Sequence, residues 1–160
     1  VMKISEMRKR PILTALSGPA ASVMGSLMYM RASNAIYFEV GGTTTNIGVI
    51  KNGRPGVDYA QIGGHDTYIS YLDVRILGCA GGSMVRINDK AVVDVGPSSA
   101  HIAGCEYACF TPEEEIEDPQ IEMVSPKQGD PADYVTIRLK NGKRICFTNT
   151  CAANVLGLIE

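Results

Sequence analysis

The residues best suited to chemistry are Glu39-Val40-Gly41-Gly42-Thr43-Thr44-Thr45-Asn46, set between two apolar stretches. Two adjacent glycines free the backbone, so that successive amides can converge on phosphate oxygens. Thr43, Thr44 and Thr45 add hydroxyl donors at once. Glu39, ending the preceding strand, stands where a carboxylate can hold magnesium, a cation that binds through one or two carboxylates and keeps several waters. Asn46, at the other end, can hydrogen-bond but cannot neutralise charge. The same letters also describe a Gly-Gly turn followed by threonines suited to a strand, and the residues alone leave both readings open. A P-loop is excluded because no lysine follows the glycines and the next element reads as strand. A dinucleotide fingerprint fails on that second ground.

A second glycine-rich loop is Gly78-Cys79-Ala80-Gly81-Gly82-Ser83. Gly81 and Gly82 permit close backbone approach to a ligand or to another strand, and Ser83 offers a hydroxyl. A plain bend between strands fits the same letters. Two glycine loops, each following a strand, predict one cleft, since loops on a rigid sheet commonly carry sites.

Other reactive side chains form no constellation. His65, between Gly64 and Asp66, is the better histidine for a polar role; His101 lies among apolar neighbours. Neither adjoins a nucleophile, and Ser83 and Ser99 lack a strand-nucleophile-helix context. Cys105 and Cys109 are four apart and Cys146 and Cys151 five apart, which is not structural zinc spacing. They read as buried thiols. Cys79, inside the glycine loop, is the thiol that merits a reactivity test. Asp73 and Asp94, near glycines at strand ends, could each meet a ligand, with turn capping the commoner use of such positions.

These loops need elements to position them. Ser17-Gly18-Pro19 predicts a helix start with Pro19 at the first helical position, and Ala20 to Arg31 the helix itself. Residues 35–40, 47–50 and 56–62 read as strands, with turns at Asn52-Gly53 and Gly63-Gly64. Thr67 to Leu72 reads as a short helix or loop, and residues 73–77 as a strand. Residues 84–87 and 91–95 form a hairpin about Asn88-Asp89. Thr111-Pro112-Glu113-Glu114 predicts a short acidic helix, and Pro126 to Pro131 a flexible connection. Residues 134–139 and 144–148 form a hairpin about Asn141-Gly142, and a helix-like run from Ala152 closes the chain.

With 160 residues and 45% apolar side chains, the chain is long enough for one domain with a real core. Fifteen basic against seventeen acidic residues give a net charge of -2, which argues against a nucleic-acid partner. No apolar run approaches the length of a membrane span, and the charged start lacks a signal segment. An odd, irregular set of five cysteines is no disulfide framework. Together these predict a cytoplasmic protein.

Ser17-Gly18-Pro19-Ala20-Ala21 ahead of a helix, Val40-Gly41-Gly42-Thr43-Thr44-Thr45, and Lys51-Asn52-Gly53-Arg54-Pro55 follow in order. So do Leu72-Asp73-Val74-Arg75, Ala80-Gly81-Gly82-Ser83, Val95-Gly96-Pro97-Ser98-Ser99-Ala100 and Tyr107-Ala108-Cys109. This ordered set, spanning residues 11–110, resembles the hydantoinase A/oxoprolinase family. The resemblance implies an α/β fold: a ribonuclease-H-like lobe of the actin-like, sugar-kinase-like ATPase superfamily, with a mixed sheet, hairpins and flanking helices. Residues 111–160 are expected to belong to the same domain.

The resemblance further implies ATP and magnesium as cofactors and the opening of cyclic amides such as hydantoins or 5-oxoproline; some members serve in acetone carboxylases. The phosphate is thought to activate the substrate carbonyl oxygen. Members commonly work with a larger, hydantoinase B-type subunit. They carry two glycine-threonine phosphate motifs, and residues 39–46 resemble the central one. The resemblance therefore implies one lobe of a larger protein, its opposing ATPase lobe elsewhere, or a stand-alone degenerate relative. By this reading Glu39 and Asn46 are catalytic positions, Glu39 the metal ligand, and Gly41, Gly42, Thr43, Thr44, Thr45, Gly81, Gly82 and Ser83 the nucleotide contacts. The central motif usually begins and ends with aspartate. Glu39 and Asn46 replace both, which favours an alternative: a non-catalytic nucleotide-binding or subunit-assembly domain.

Overall fold

The computed structural model describes residues 2–159. The chain divides into two compact units. One comprises the residues up to Glu39 together with Asn46–Ile76. The other comprises Val40–Thr45 together with the residues from Leu77 onward. Segment 111–160 thus shares a unit with residues 77–110. Among the described residues no helix is long and apolar enough to cross a membrane.

The first unit opens with α1 (Ile4–Lys9), a 3-10 turn (Pro11–Thr14) and α2 (Ser17–Met30). Helix α2 starts two residues before the predicted first position, because Leu16 adopts a left-handed conformation at φ 63° and turns the chain into the helix. Pro19 then lies within the first turn, where a missing amide costs no intrahelical bond. Arg31, also left-handed, ends the helix by donating its amide to Leu27 O. Strands β1 (Ala35–Val40), β2 (Thr45–Lys51), β3 (Arg54–Pro55) and β6 (Val74–Leu77) form a four-stranded sheet. Strands β4 (Val57–Ile62) and β5 (His65–Leu72) form a separate antiparallel hairpin.

Val23 of α2 is buried with Tyr37 and Val74, and the half-buried Leu72 packs against them; full burial of one such valine contributes about 1.5–2 kcal/mol. Gly48 lets helix and sheet close, since a Cβ there would lie 3.4 Å from the Tyr37 ring and 3.6 Å from Val23. Alternation in β1 puts Tyr37 and Glu39 on the covered face and Ile36 and Phe38 on the exposed one. Both two-residue turns, Asn52-Gly53 and Gly63-Gly64, have positive φ at each residue, as tight hairpins require. Segment 65–72 is a strand, correcting the expectation of a short helix or loop over Thr67 to Leu72. Its Thr, Tyr and Ile suit a pleated surface, and β4 supplies the partner.

The second unit is built on a six-stranded mixed sheet in the order β8-β7-β11-β12-β9, with β10 also pairing β11. The strands are β7 (Ser83–Ile87), β8 (Val92–Ser99), β9 (Glu106–Tyr107), β10 (Gln120–Val124), β11 (Tyr134–Arg138) and β12 (Arg144–Cys146). All pairings are antiparallel except β12 with β9. Helices α3 (Ala100–Ala103) and α4 (Asn149–Val155) complete it. Met84, Ala100, Cys105, Tyr134 and Cys146 form its core.

Two local expectations are corrected, and the connection at 126–131 gains a local structure. The acidic helix shrinks to a 3-10 turn, Glu113–Glu115, in which three adjacent carboxylates give no apolar face to bury. Segment 126–131 is a hydrogen-bonded turn, with the Ser125 hydroxyl donating to Lys127 O and Asp130 O. Helix α4 begins at Asn149, earlier than the run from Ala152, because Thr148 caps it by accepting the Cys151 amide.

Candidate functional site

In the second unit, the chain turns at Gly41–Thr44 and the Gly41 amide donates to Thr44 O at 3.0 Å. The second glycine loop then clasps this turn. Gly81 N donates to Gly41 O at 3.1 Å, and Gly82 N to Gly42 O at 2.7 Å. Two further bonds hold the flanks. The Thr45 hydroxyl donates to Cys79 O at 2.6 Å, and the hydroxyls of Thr43 and Ser99 are 3.0 Å apart. Gly41–Thr45 and Gly81–Gly82, separate in sequence, thus meet in one place.

What this clasp leaves over is a row of donors. Among the described residues, the amides of Gly42, Thr43 and Thr44 have no acceptor, and the Thr44 hydroxyl has no partner. The turn is exposed to half-buried. Consecutive free amides on a glycine turn are the arrangement that receives an anion. The donor set therefore fits a phosphate group. Thr43 and Thr45 have their hydroxyls engaged within the protein, so the three threonines divide into two braces and one free donor.

Ser83 is fully buried, and its Oγ accepts the Ala80 amide at 2.8 Å. It shapes the loop. Helix α4 supports the same loop from behind. Asn149 donates to Ala80 O at 2.9 Å, and both the amide and the hydroxyl of Thr150 donate to Gly81 O, at 2.8 and 2.9 Å. An open cavity of about 320 Å³ lies here, lined by Thr45, Cys79, Ala80, Gly81, Asn149 and Thr150. Cys79 is exposed, with Asn149 Nδ2 3.5 Å from its Sγ. A larger cavity of about 860 Å³ adjoins the β4–β5 hairpin in the other unit and includes none of the predicted site residues.

Glu39 and Asn46 belong to the first unit. Asn46 Nδ2 donates to Glu39 Oε2 at 2.8 Å, and the Tyr37 hydroxyl donates to the same oxygen at 2.9 Å. These donors, Asn46 foremost and the Ser22 hydroxyl next, hold the Glu39 carboxyl below the usual glutamate range. Burial, reinforced by the Glu39 charge, pushes the Tyr37 phenol up. Asn46 is 8% exposed, and its Oδ1 is buried without a hydrogen-bond partner. Among the described residues, no three His, Cys, Asp or Glu side chains group to hold a metal ion. Glu39 offers a single carboxylate, and magnesium binds through one or two carboxylates while keeping several waters.

Tyr107 escaped the sequence reading as a site residue. Its hydroxyl reaches both glycine turns, 3.8 Å from where a Gly42 Cβ would stand and closer still to that of Gly82. Its ring stacks on Phe110 with centroids 5.7 Å apart. His65 is exposed at the start of β5 and His101 on α3.

A family model described as hydantoinase/oxoprolinase matches residues 1–160. Over 100 residues, 59% of this chain, the sequence is 30% identical to caprolactamase subunit alpha of Pseudomonas jessenii, covering 14% of that protein. A nucleotide-free structure of acetone carboxylase, from work on ATP-dependent acetone carboxylation, aligns with a TM-score of 0.47 at 22% identity. That alignment covers 52% of this chain and 12% of the other.

Proposed function

The chain belongs to the hydantoinase/oxoprolinase family, and from that premise we propose that it holds the phosphates of ATP within an ATP-dependent hydrolase of cyclic amides, of the hydantoin or 5-oxoproline type. The observation that carries this reading is the clasped turn with its free amides at Gly42, Thr43 and Thr44. Such donors are fixed before the ligand arrives, so binding an anion costs little reorganisation. Thr44 adds a hydroxyl; Thr43 and Thr45 keep the turn in shape through Ser99 and Cys79. Gly81 and Gly82 hold the turn through its carbonyls, and Ser83 holds Gly81 and Gly82 in place.

When bound, ATP supplies the phosphoryl group that activates an amide carbonyl, and magnesium supplies the charge that balances it. Glu39 is the carboxylate proposed for the metal, and Asn46 and Tyr37 orient it by occupying one oxygen. The fold proposed is a ribonuclease-H-like lobe of an actin-like ATPase. Because the chain covers a small share of its relatives, catalysis is assigned to the complete assembly, with the opposing ATPase lobe and a larger hydantoinase B-type subunit as partners.

A second reading is a non-catalytic nucleotide-binding or subunit-assembly domain. The bond between Asn46 and Glu39 favours it, because an uncharged amide occupies the carboxylate where a second charge would otherwise gather metal. Titration with ATP and magnesium tests both readings on the wild type and on Glu39→Ala and Thr44→Ala. The first reading expects binding, weakened by each substitution, with turnover appearing only when the partner lobe is supplied. Binding without turnover even then supports the second. Absence of ATP binding by the wild-type chain overturns phosphate recognition by this turn.

A further inference from the structure

We infer that the Tyr107 hydroxyl is a further anion contact of the glycine turn, donating to the same phosphate that the amides of Gly42, Thr43 and Thr44 receive. This inference rests on the phosphate-binding reading and adds a residue to it.

Tyr107 ends β9, whose parallel pairing with β12 sets it opposite Cys146. The ring is fixed against Phe110 on one side. Its backbone is tied as well, since Tyr107 O accepts the Thr111 hydroxyl at 3.1 Å. The phenol has little freedom and points at the place where Gly42 and Gly82 cross. A Cβ on Gly82 would overlap the Tyr107 hydroxyl and lie 2.6 Å from Gly42 O. Glycine at position 82 is what lets the hydroxyl come so near the turn; a Cβ at position 42, at 3.8 Å, would meet it only at ordinary contact distance.

Among the described residues this hydroxyl makes no hydrogen bond. A half-buried phenol that has lost part of its hydration and found no partner is at a disadvantage. Burial, with the nearby Cys146, Cys151 and Cys109 adding to it, pushes the phenol up, so it stays a neutral donor near pH 7. The groups on this side of the clasp can all donate: three amides, which only donate, and the Thr44 and Tyr107 hydroxyls, which donate or accept. A set weighted toward donors favours a ligand rich in acceptors, as a phosphate chain is.

The test uses the whole chain and inorganic tripolyphosphate with magnesium, which presents the phosphates without a nucleoside. Affinity is measured calorimetrically for the wild type and for Tyr107→Phe. Phenylalanine keeps the stacked ring, so equal melting temperatures are expected, together with about ten- to hundredfold weaker binding, the effect of losing one hydrogen bond to a charged group. Equal or tighter binding by Tyr107→Phe overturns the inference and leaves the phosphate reading standing. No binding by the wild type overturns both. A Tyr107→Phe variant that melts lower and binds in proportion to its folded fraction assigns the hydroxyl to stability and likewise overturns the inference.

Discussion

Asn46 donates its side-chain amide to Glu39 Oε2 at 2.8 Å, across seven residues of sequence. An amide is the neutral isostere of a carboxylate, so this pair can be converted to two acids without a change of shape. Asn46→Asp would remove the donor and set two negative charges together at a position only 8% exposed. The expected result near pH 7 is a loss of about 2 kcal/mol, from a lost charged hydrogen bond plus like-charge repulsion. Lowering the pH lets the pair share one proton, so the loss shrinks as pH falls toward about 5. Urea denaturation of both proteins at several pH values measures this. A constant difference across pH would show that the two side chains do not interact.

The same carboxylate gives the wild type a pH signature of its own. Its folded-state value lies below the ordinary glutamate value of about 4.3. Stability from this group is therefore present above that value and is lost as pH falls through the lower, folded-state one. Tyr37→Phe removes one of the donors responsible. The variant should be less stable by about 1 kcal/mol at pH 7, and the gap should narrow in acid, where the wild type loses the advantage too. A gap that widens in acid would contradict this assignment.

How legible the site was depended on how local its cause is. The turns at Asn52-Gly53 and Gly63-Gly64 could be read from the sequence because two residues at positive φ demand those letters. Strand β5 was ambiguous because its alternation of Thr, Tyr and Ser buries little. Strand β10 went unread for a related reason: Ile121 and Met123 face outward while Glu122 takes the half-buried face, so its alternation runs opposite to the usual apolar-inward signal. Contiguous letters also hid a division. Glu39 and Asn46 belong to one unit, and the turn between them to the other. The unpaired amides and the approach of Tyr107 follow from long-range pairings, Gly81 and Gly82 with the turn and β9 with β12, which no single window of sequence contains.

The clasp between the two glycine turns predicts that Gly82 is among the least replaceable residues. Gly82→Ala should destabilise the chain by about 1–3 kcal/mol, as overpacking of a tight site does. Combining it with Tyr107→Phe relieves the clash with the hydroxyl but not that with Gly42 O, which the new Cβ would approach to 2.6 Å. The double variant should therefore regain only part of the loss. Full recovery in thermal melts would assign the whole constraint to the tyrosine. Gly53→Ala serves as a control for strain without crowding, since its φ is +70° and no atom lies within 4 Å of the added Cβ.

The thiols give an ordering that chemical labelling can read. Cys79 is exposed on the loop that clasps the turn, whereas Cys105, Cys146 and Cys151 are buried. Cys109 is half-buried, and burial, with Cys151 beside it, pushes its thiol up to about 11. At pH 8 only about a thousandth of such a thiol is ionised, and the thiolate is the species that reacts. Iodoacetamide should therefore modify Cys79 first, Cys109 far more slowly, and the three buried thiols at the rate of unfolding. Peptide mass spectrometry over a time course resolves each site. A phosphate ligand seated on the turn adds a further expectation. Because Cys79 O accepts the Thr45 hydroxyl and the Cys79 side chain lines the adjoining cavity, magnesium tripolyphosphate should slow labelling at Cys79. It should leave the ratio among Cys105, Cys146 and Cys151 unchanged. Protection spread evenly over all five thiols would instead report general stabilisation, and no protection at Cys79 would place the anion away from this loop.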